Sequence, residues 1–409
     1  MSISINLPRL KANIEALGRI GRDPRGGISR PSLSPADLEA RAWLKHRIEA
    51  AGLDYRCDGA GNQFGFLGEG APAVMAGSHI DTVQNGGAFD GAAGVLAALE
   101  AVQSIREAGL TPAKLLAVAS FTDEEGSLAG DFLGSRAFTG TLNRDLLAGA
   151  MTAHGAPLAD VLAGAGLTLD GVLGAAAEAF PITAFLELHV EQGPVLDDEG
   201  VPVGLVDVIS GKRYFLCSFQ GEAGHAGTVP LELRRDAFLG LADFALRATR
   251  HVATRHYGSF VTIGQALLQP GAFSIIPERA DFSFDFRSRS SETLAGLENE
   301  LMALAGEVAA TRGLRFGSRL MDATTPVAVP ESLLAILKNA CSARGYAHLA
   351  LASGAGHDAQ ILAAKAPTAM IFVPSPDGIS HAPGESVRWD DLEKGANILL
   401  DALLKLALN

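Results

Sequence analysis

Apolar positions recur along this chain with two different periods, and their alternation predicts the architecture. In PADLEARAWLKHRIEAAGL, residues 35–53, they fall at helical spacing, whereas APAVMAGS at 71–78 is a short continuous apolar run of the kind that buried strands carry. GAAGVLAALEAVQSIREAGL returns to helix and AKLLAVASFT to strand. Strand and helix in alternation predict an α/β unit. The rhythm resumes after about residue 327, with helices in ESLLAILKNACSARG and HDAQILAAKA, a strand in TAMIFVPS and a terminal helix from about residue 389. The two stretches, 1–209 and 327–409, read as halves of one domain.

Between them the pattern changes. KRYFLCSFQG alternates like a strand, RRDAFLGLADFALRATRHV is helical, and SFVTIGQALLQ and RADFSFDFRS are strands. ETLAGLENELMALAGEVAATRG is a helix with Leu294, Leu297, Leu301, Leu304 and Val308 on one stripe, and LRFGSRLM closes with a strand. That order, βαββαβ, is ferredoxin-like and places an inserted α+β domain at 210–326. Residues 145–180 are rich in Ala and Gly and leave room for a helical excursion without an assigned role.

Composition narrows the partners. A chain of 409 residues exceeds what one hydrophobic core supports, and 48% apolar with 19% charged residues is ordinary for a globular protein. A net charge of −13 with no dense Lys/Arg run disfavours nucleic acid and anionic membrane, so a small-molecule ligand is expected. Cys57, Cys217 and Cys341 are odd in number and form no CxxC, which argues against a disulfide framework and for a reducing compartment. The N-terminal stretch MSISINLPRLKANIEALGRIGRD has amphipathic helical spacing rather than a signal peptide's layout, and runs such as ILLDALLKLAL are broken by Asp401 and Lys405. The expectation is a cytoplasmic protein.

The candidate chemistry gathers near predicted strand ends. In GSHIDTVQNGGAFDGAAGV, residues two apart in an extended segment point the same way, so Asp81 can hold and orient His79 as carboxylates orient metal-binding imidazoles. A surface or capping pair is the structural alternative, and Asp90 reads equally as a helix N-cap. In FTDEEGS, Asp123, Glu124 and Glu125 follow a strand directly; such acids repel one another unless a solvated loop or a cation relieves them. With a cation, the adjacent glutamates divide the work, one binding metal and the other taking a proton from an activated water. LELHVEQGP adds His189, and SPDGISHAPGE adds His381. His79, Asp90, Glu125, His189 and His381 together make a donor set suited to two divalent ions such as Zn²⁺ or Mn²⁺.

The segments GSHIDTV…FDGAAGV, DEEGS…GSRAFTG, LELHVEQGPVLD, GEAGHAGTVP…RRDA, FSFDFRS, SGAGHDA and FVPSPDGISHAPGE resemble, in order and spacing, the amidase, hydantoinase and carbamoylase branch of the M20 metallopeptidase clan. The resemblance runs from about residue 25 to the C-terminus. It implies an α/β catalytic domain with a mixed sheet flanked by helices, interrupted by a dimerisation and lid domain, and hence a homodimer. It also implies a dinuclear site in which His79 and His189 bind metal, Asp90 bridges, and Glu125 and His381 complete the second position, with Glu124 as general base. His225 in GEAGHAGTVP matches the imidazole offered to the developing oxyanion, and Arg287 the arginine that pairs with a substrate carboxylate, a task that suits a bidentate guanidinium. A turn histidine and a surface salt bridge are the respective alternatives. Gln192, Lys212, Ser274, Gly356 and His357 are weaker candidates for substrate contact.

The sequence departs from the pattern where a pocket would read the substrate: Leu128-Ala129 stands where many relatives carry Arg-Phe, Ser274 where Asn is frequent, and Lys212 where Gln is frequent. The expected activity is hydrolysis of a linear C–N bond, carbamoyl (ureido) or acyl, in a small carboxylate-bearing substrate such as an N-carbamoyl-amino acid or allantoate. An aminoacylase or dipeptidase on the same fold is the rival, and a catalytically silent binding protein the rival of another class. No G-x-S-x-G appears, which argues against a serine hydrolase.

Overall fold

The computed structural model describes residues 3–408; Met1 and Ser2 of the N-terminal stretch and Asn409 lie outside the described residues. The chain divides into two compact units, one comprising the residues up to Asp207 with Val329–Leu351 and those from His357 on, the other Val208–Ala328 with Ala352–Gly356.

The first unit is built on a mixed sheet in the order Asp54–Cys57, Gln63–Leu67, Leu115–Phe121, Ala73–His79, Ile182–Val190, Thr368–Val373, Val203–Ile209. Its four inner strands, from Leu115–Phe121 to Thr368–Val373, run parallel, and the flanking pairs are antiparallel. Parallel strands buried on both faces carry continuous apolar runs, and Ala73–His79 is buried at every position. Helix Ala92–Glu107 is buried over most of its surface because it lies between this sheet and the terminal helix Trp389–Ala407, and a helix enclosed on all sides is apolar on all sides. The N-terminal helix Leu7–Leu17 starts at Asn6, whose side chain accepts a hydrogen bond from the Arg9 amide.

The inner strands share one direction, so their carboxyl ends fall on one edge. That edge delivers His79 as the last residue of its strand, Asp123 to Glu125 just past Phe121, His189 beside Val190, and the loop after Val373 that carries His381. The Ala/Gly-rich stretch forms helices Arg144–Leu147, Leu158–Gly164 and Leu169–Glu178. These bury Leu147, Leu158, Leu162 and Val172 in a satellite core with Leu33, Leu128 and Leu133. Among the described residues no single helix is long and apolar enough to cross a membrane.

The second unit has an antiparallel sheet in the order Ala266–Gln269, Arg279–Ser288, Gly211–Gln220, Arg315–Thr324, with helices Ala237–Arg255 and Ser291–Thr311 sharing its core. This is the ferredoxin-like arrangement. The period of two in RADFSFDFRS is realised: Ala280, Phe282, Phe284, Phe286 and Ser288 are buried and their neighbours are not. One expected strand differs. SFVTIGQALLQ splits into Phe260–Thr262 and Ala266–Gln269, both paired with Arg279–Ser288. Between them the Gln265 carbonyl still accepts from the Ser283 amide at 3.1 Å, but the Gln265 amide donates to the Ser283 hydroxyl at 2.9 Å rather than to a strand carbonyl.

Phe284 lies in this second core, 1% exposed, against Phe244, Phe282 and Phe286. Truncation to alanine leaves a cavity, so Phe284→Ala is expected to lower stability by about 3–5 kcal/mol in urea unfolding; a change below about 1 kcal/mol would show that the aromatic cluster is not what consolidates the unit.

Candidate active site

The site is built around Asp90. Its Oδ1 lies 3.1 Å from His189 Nε2 and 3.6 Å from His79 Nε2, and its Oδ2 lies 2.9 Å from His381 Nε2. Glu125 Oε1 is 3.6 Å from His381 Nε2, and Glu124 Oε2 is 3.6 Å from His79 Nε2. Three overlapping sets of donor atoms, each within 4.8 Å of one another, lie here: His79–Asp90–His189 and Asp90–Glu125–His381, which share Asp90, and His79–Glu124–Glu125, which joins the two.

Backbone chemistry aims these side chains. His79 Nδ1 is 3.0 Å from the Asp81 carbonyl and His189 Nδ1 is 2.9 Å from the Val190 carbonyl. A carbonyl only accepts, so each Nδ1 carries the hydrogen and each Nε2 turns a lone pair into the site. The Asp81 carboxylate, to which the spacing pointed, stands 3.7 Å from the same ring nitrogen of His79, farther than the Asp81 carbonyl. The Asp81 side chain instead accepts from the Glu125 amide at 3.3 Å, tying the two ligand-bearing loops together. Nor is Asp90 a side-chain cap: helix Ala92–Glu107 begins at Gly91 without a capping side chain, which leaves the carboxylate for the site.

Glycine is required at two points. Gly91 has φ +61, and a Cβ there would collide with the His79 ring; a Cβ on Gly87 would collide with the Glu385 carboxylate. Glu385, the acid that accompanies His381 in SPDGISHAPGE and to which the sequence assigns no role, belongs to the site. Its Oε1 accepts from the amides of Phe89 at 2.9 Å and Asp90 at 3.0 Å, and its Oε2 from Ser380 at 2.8 Å. The only signal was its place four residues after His381 in HAPGE.

The acidic run is not a solvated loop, since Asp123 and Glu124 are buried. Asp123 accepts from Ser127 Oγ at 2.7 Å and the Leu128 amide at 3.0 Å, closing the turn that presents the two glutamates. Burial pushes Glu124 well above the usual carboxylate range against the pull of His79, and pushes Glu125 up to about 7 and Asp123 to about 8. Burial alone would raise Asp90 too, but the imidazoles of His189, His381 and His79 that face it outweigh burial and hold it well below its ordinary value. The hydrogen bond to Asp90 raises His381 to about 9.

The donors fit a cation. His79 Nε2 and Glu125 Oε1 are buried with no hydrogen-bond partner, and the contacts around them are 3.6 Å, too long for hydrogen bonds and suited to donors that face a common ion. The field of the carboxylates, which favours a proton on these imidazoles, favours a divalent ion in its place. Imidazole with carboxylate is the chemistry of Zn²⁺ and its neighbours.

The structure distributes the other candidates. Gln192 joins the cluster itself, its amide donating to Asp90 Oδ2 at 2.8 Å from a backbone held at φ +60. His357 precedes the short helix Asp358–Leu362, and its ring lies edge-on to that of His189 at 4.5 Å. In the second unit, exposed His225 accepts from the Gly227 amide at 3.1 Å, and the Ser274 carbonyl accepts from the neighbouring Ala226 amide at 2.9 Å. Arg287 and Lys212 meet there at Tyr214, a residue the sequence reading missed. Arg287 donates to the Tyr214 hydroxyl and to the Gly354 carbonyl, each at 2.9 Å, and Lys212 Nζ lies 4.2 Å from the Tyr214 ring centroid. Both cations are also ion-paired, Arg287 with Asp285 at 3.0 Å and Lys212 with Asp322 at 3.3 Å. Gly356 ends the stretch Ala352–Gly356 that belongs to this unit.

Residues 75–405 match the model of the peptidase family M20/M25/M40. The chain belongs to this family. It is a hydrolase of the branch that its motifs resemble. It is 36% identical over 404 residues to the N-carbamoyl-L-amino acid amidohydrolase of Geobacillus stearothermophilus, covering 98% of each chain. It is 35% identical over 402 residues to the allantoate amidohydrolase of Escherichia coli strain K12, covering 96% of each. Among solved structures, an amidase of the hydantoinase/carbamoylase family from Burkholderia multivorans superposes with a TM-score of 0.89 at 33% identity over the whole of both chains.

Gly91→Ala drives a methyl group into the His79 ring, and is expected to weaken metal binding about 10–100-fold, read by titration of the chelator-stripped protein. Unaltered affinity would show that His79 does not hold the ion.

Proposed function

We propose that the protein is a dimetal amidohydrolase that cleaves the linear C–N bond of a carbamoyl (ureido) group in a small carboxylate-bearing substrate. The observation that carries the reading is the pair of donor triplets sharing Asp90, with Glu124 at their edge. Similarity to enzymes named for N-carbamoyl-L-amino acids and for allantoate supports the ureido bond.

His79, Asp90 and His189 would hold one divalent ion, and Asp90, Glu125 and His381 the other. Bound there, Zn²⁺ or Mn²⁺ would lower the pKa of a water and polarise the substrate carbonyl. Glu124 takes a proton from the attacking water as the water oxygen bonds to the carbonyl carbon. His225 donates a hydrogen bond to the carbonyl oxygen as charge develops on it. Glu124 then passes the proton to the departing nitrogen as the C–N bond breaks, and is restored as a carboxylate. Arg287, with Lys212 beside it at Tyr214, receives the substrate carboxylate and so fixes the position of the carbonyl. The second unit serves as lid and dimerisation surface; exposed Leu231, Leu233 and Phe273 support a partner there, and a homodimer in the cytoplasm is the proposed form.

The test is product release by the Zn²⁺- or Mn²⁺-loaded enzyme across allantoate, N-carbamoyl-α- and β-amino acids, N-acyl-amino acids and dipeptides. Chelator-sensitive ammonia from a ureido compound is expected; turnover of acyl or peptide amides alone would move the protein to the aminoacylase reading. Glu124→Gln is expected to retain metal and lose about 10²–10⁴-fold in kcat, and wild-type turnover would remove Glu124 as the base. Arg287→Ala is expected to raise KM for carboxylate substrates with little change in kcat; an unchanged KM would take Arg287 out of the site.

A further inference from the structure

A separate group of ligating side chains converges in the second unit. His251 lies in the last turn of helix Ala237–Arg255, His256 is the residue at which that helix stops, and Glu300 lies on helix Ser291–Thr311. His251 Nε2 is 2.5 Å and His256 Nε2 2.7 Å from the same carboxylate oxygen, Glu300 Oε2. The three donor atoms lie within 4.8 Å of one another.

This convergence depends on where the helix ends. Residues five apart on a continuous helix are rotated by about 140° and face different ways. His256 leaves the helix at φ −128 and ψ 64, and the departure brings its ring to 5.5 Å from that of His251. The framework beneath is firm: the two helices bury Leu241, Phe244, Ala248 and Val252, and Leu294, Leu297, Leu301 and Ala305, in one core. The imidazoles are 21% and 15% exposed and Glu300 is 44% exposed, so two donors are enclosed and the third faces solvent.

We propose that His251, His256 and Glu300 form a binding site for a borderline divalent cation of the Zn²⁺ type, built wholly from the second unit. Two imidazole nitrogens and one carboxylate oxygen are a three-ligand zinc set that leaves a fourth position to water, and nitrogen donors disfavour Ca²⁺ and Mg²⁺. Without an ion, each neutral imidazole donates its Nε2–H to Glu300. On binding, the hydrogens move to Nδ1, the Nε2 lone pairs face the ion, and the carboxylate draws back to about 3.3 Å from each nitrogen, as tetrahedral coordination at roughly 2 Å requires. Glu300, partly exposed on an extendable stem, can make that movement. The ion then ties the end of one helix to the other and stabilises the unit by mass action.

The test counts metal in the full-length protein equilibrated at a fixed free Zn²⁺ concentration, comparing wild type with Glu300→Ala and with His251→Asn/His256→Asn, in which an amide replaces each donor. Wild type is expected to hold one more equivalent per chain than either variant, and its Tm to rise with Zn²⁺ by several degrees more than theirs. Hydrolytic activity and far-UV circular dichroism are expected to be the same in all three. Equal metal content in folded wild type and variants would overturn the proposal. Anomalous scattering at the zinc edge from crystals of the unmodified chain guards against variants that fail to fold: a peak between the three side chains supports the site, and its absence from zinc-equilibrated crystals refutes it.

Discussion

One carboxylate, Asp90, organises the rest of the site. It is buried, three imidazoles surround it, and it is common to the triplets His79–Asp90–His189 and Asp90–Glu125–His381. A buried carboxylate ringed by nitrogen bases is stable only where something fixes its place and its charge. Its amide and that of Phe89 are clamped by Glu385, its Oδ2 takes the Gln192 amide, and the imidazoles keep it ionised. Two carboxylates from distant parts of the chain, Glu125 and Glu385, thus act on the same few atoms in different ways: one turns a bare oxygen into the site and the other anchors the loop that carries Asp90.

The backbone is bent at the same place. Asp123, Gln192 and His381 adopt left-handed φ values of 57, 60 and 54, and Gly91 sits at 61 against the His79 ring. Non-glycine residues in that region cost of order 1–3 kcal/mol each, and surrounding structure must over-determine them. Here the surroundings do: Asp123 closes its own turn through Ser127 and Leu128, and the parallel strands beneath hold the loop origins in register. A rigid sheet with strained turns on its carboxyl edge keeps five candidate donor side chains close together despite mutual repulsion among the carboxylates.

Much of this was legible in the chain. Continuous apolar runs marked the inner parallel strands and the alternation of RADFSFDFRS marked a half-buried one, because burial on two faces or on one leaves a direct imprint on residue type. The motifs located His79, Asp90, Glu124, Glu125, His189 and His381 at strand ends. Less legible were contacts made through the main chain. The Asp81 carbonyl, rather than its carboxylate, meets His79, and Gln265 pairs with the Ser283 hydroxyl in the middle of an expected strand; neither backbone carbonyls nor hydroxyl partners leave a periodic trace. Tyr214 escaped notice, and Glu385 stood beside His381 without a role, because the importance of each lies in what distant segments bring to it.

The sequence by itself determined the element types, the ferredoxin-like order of the second unit, the family, and which side chains are candidate donors, since periodicity, turn residues and donor chemistry are properties of neighbouring residues. Only the tertiary structure decided that Asp90 stands in both triplets, that the Nε2 atoms of His79 and His189 face the site, and that Arg287 and Lys212 meet at Tyr214. Those facts depend on how the packing of helices and strands orients side chains and backbone carbonyls in space, which no local pattern of residue types records.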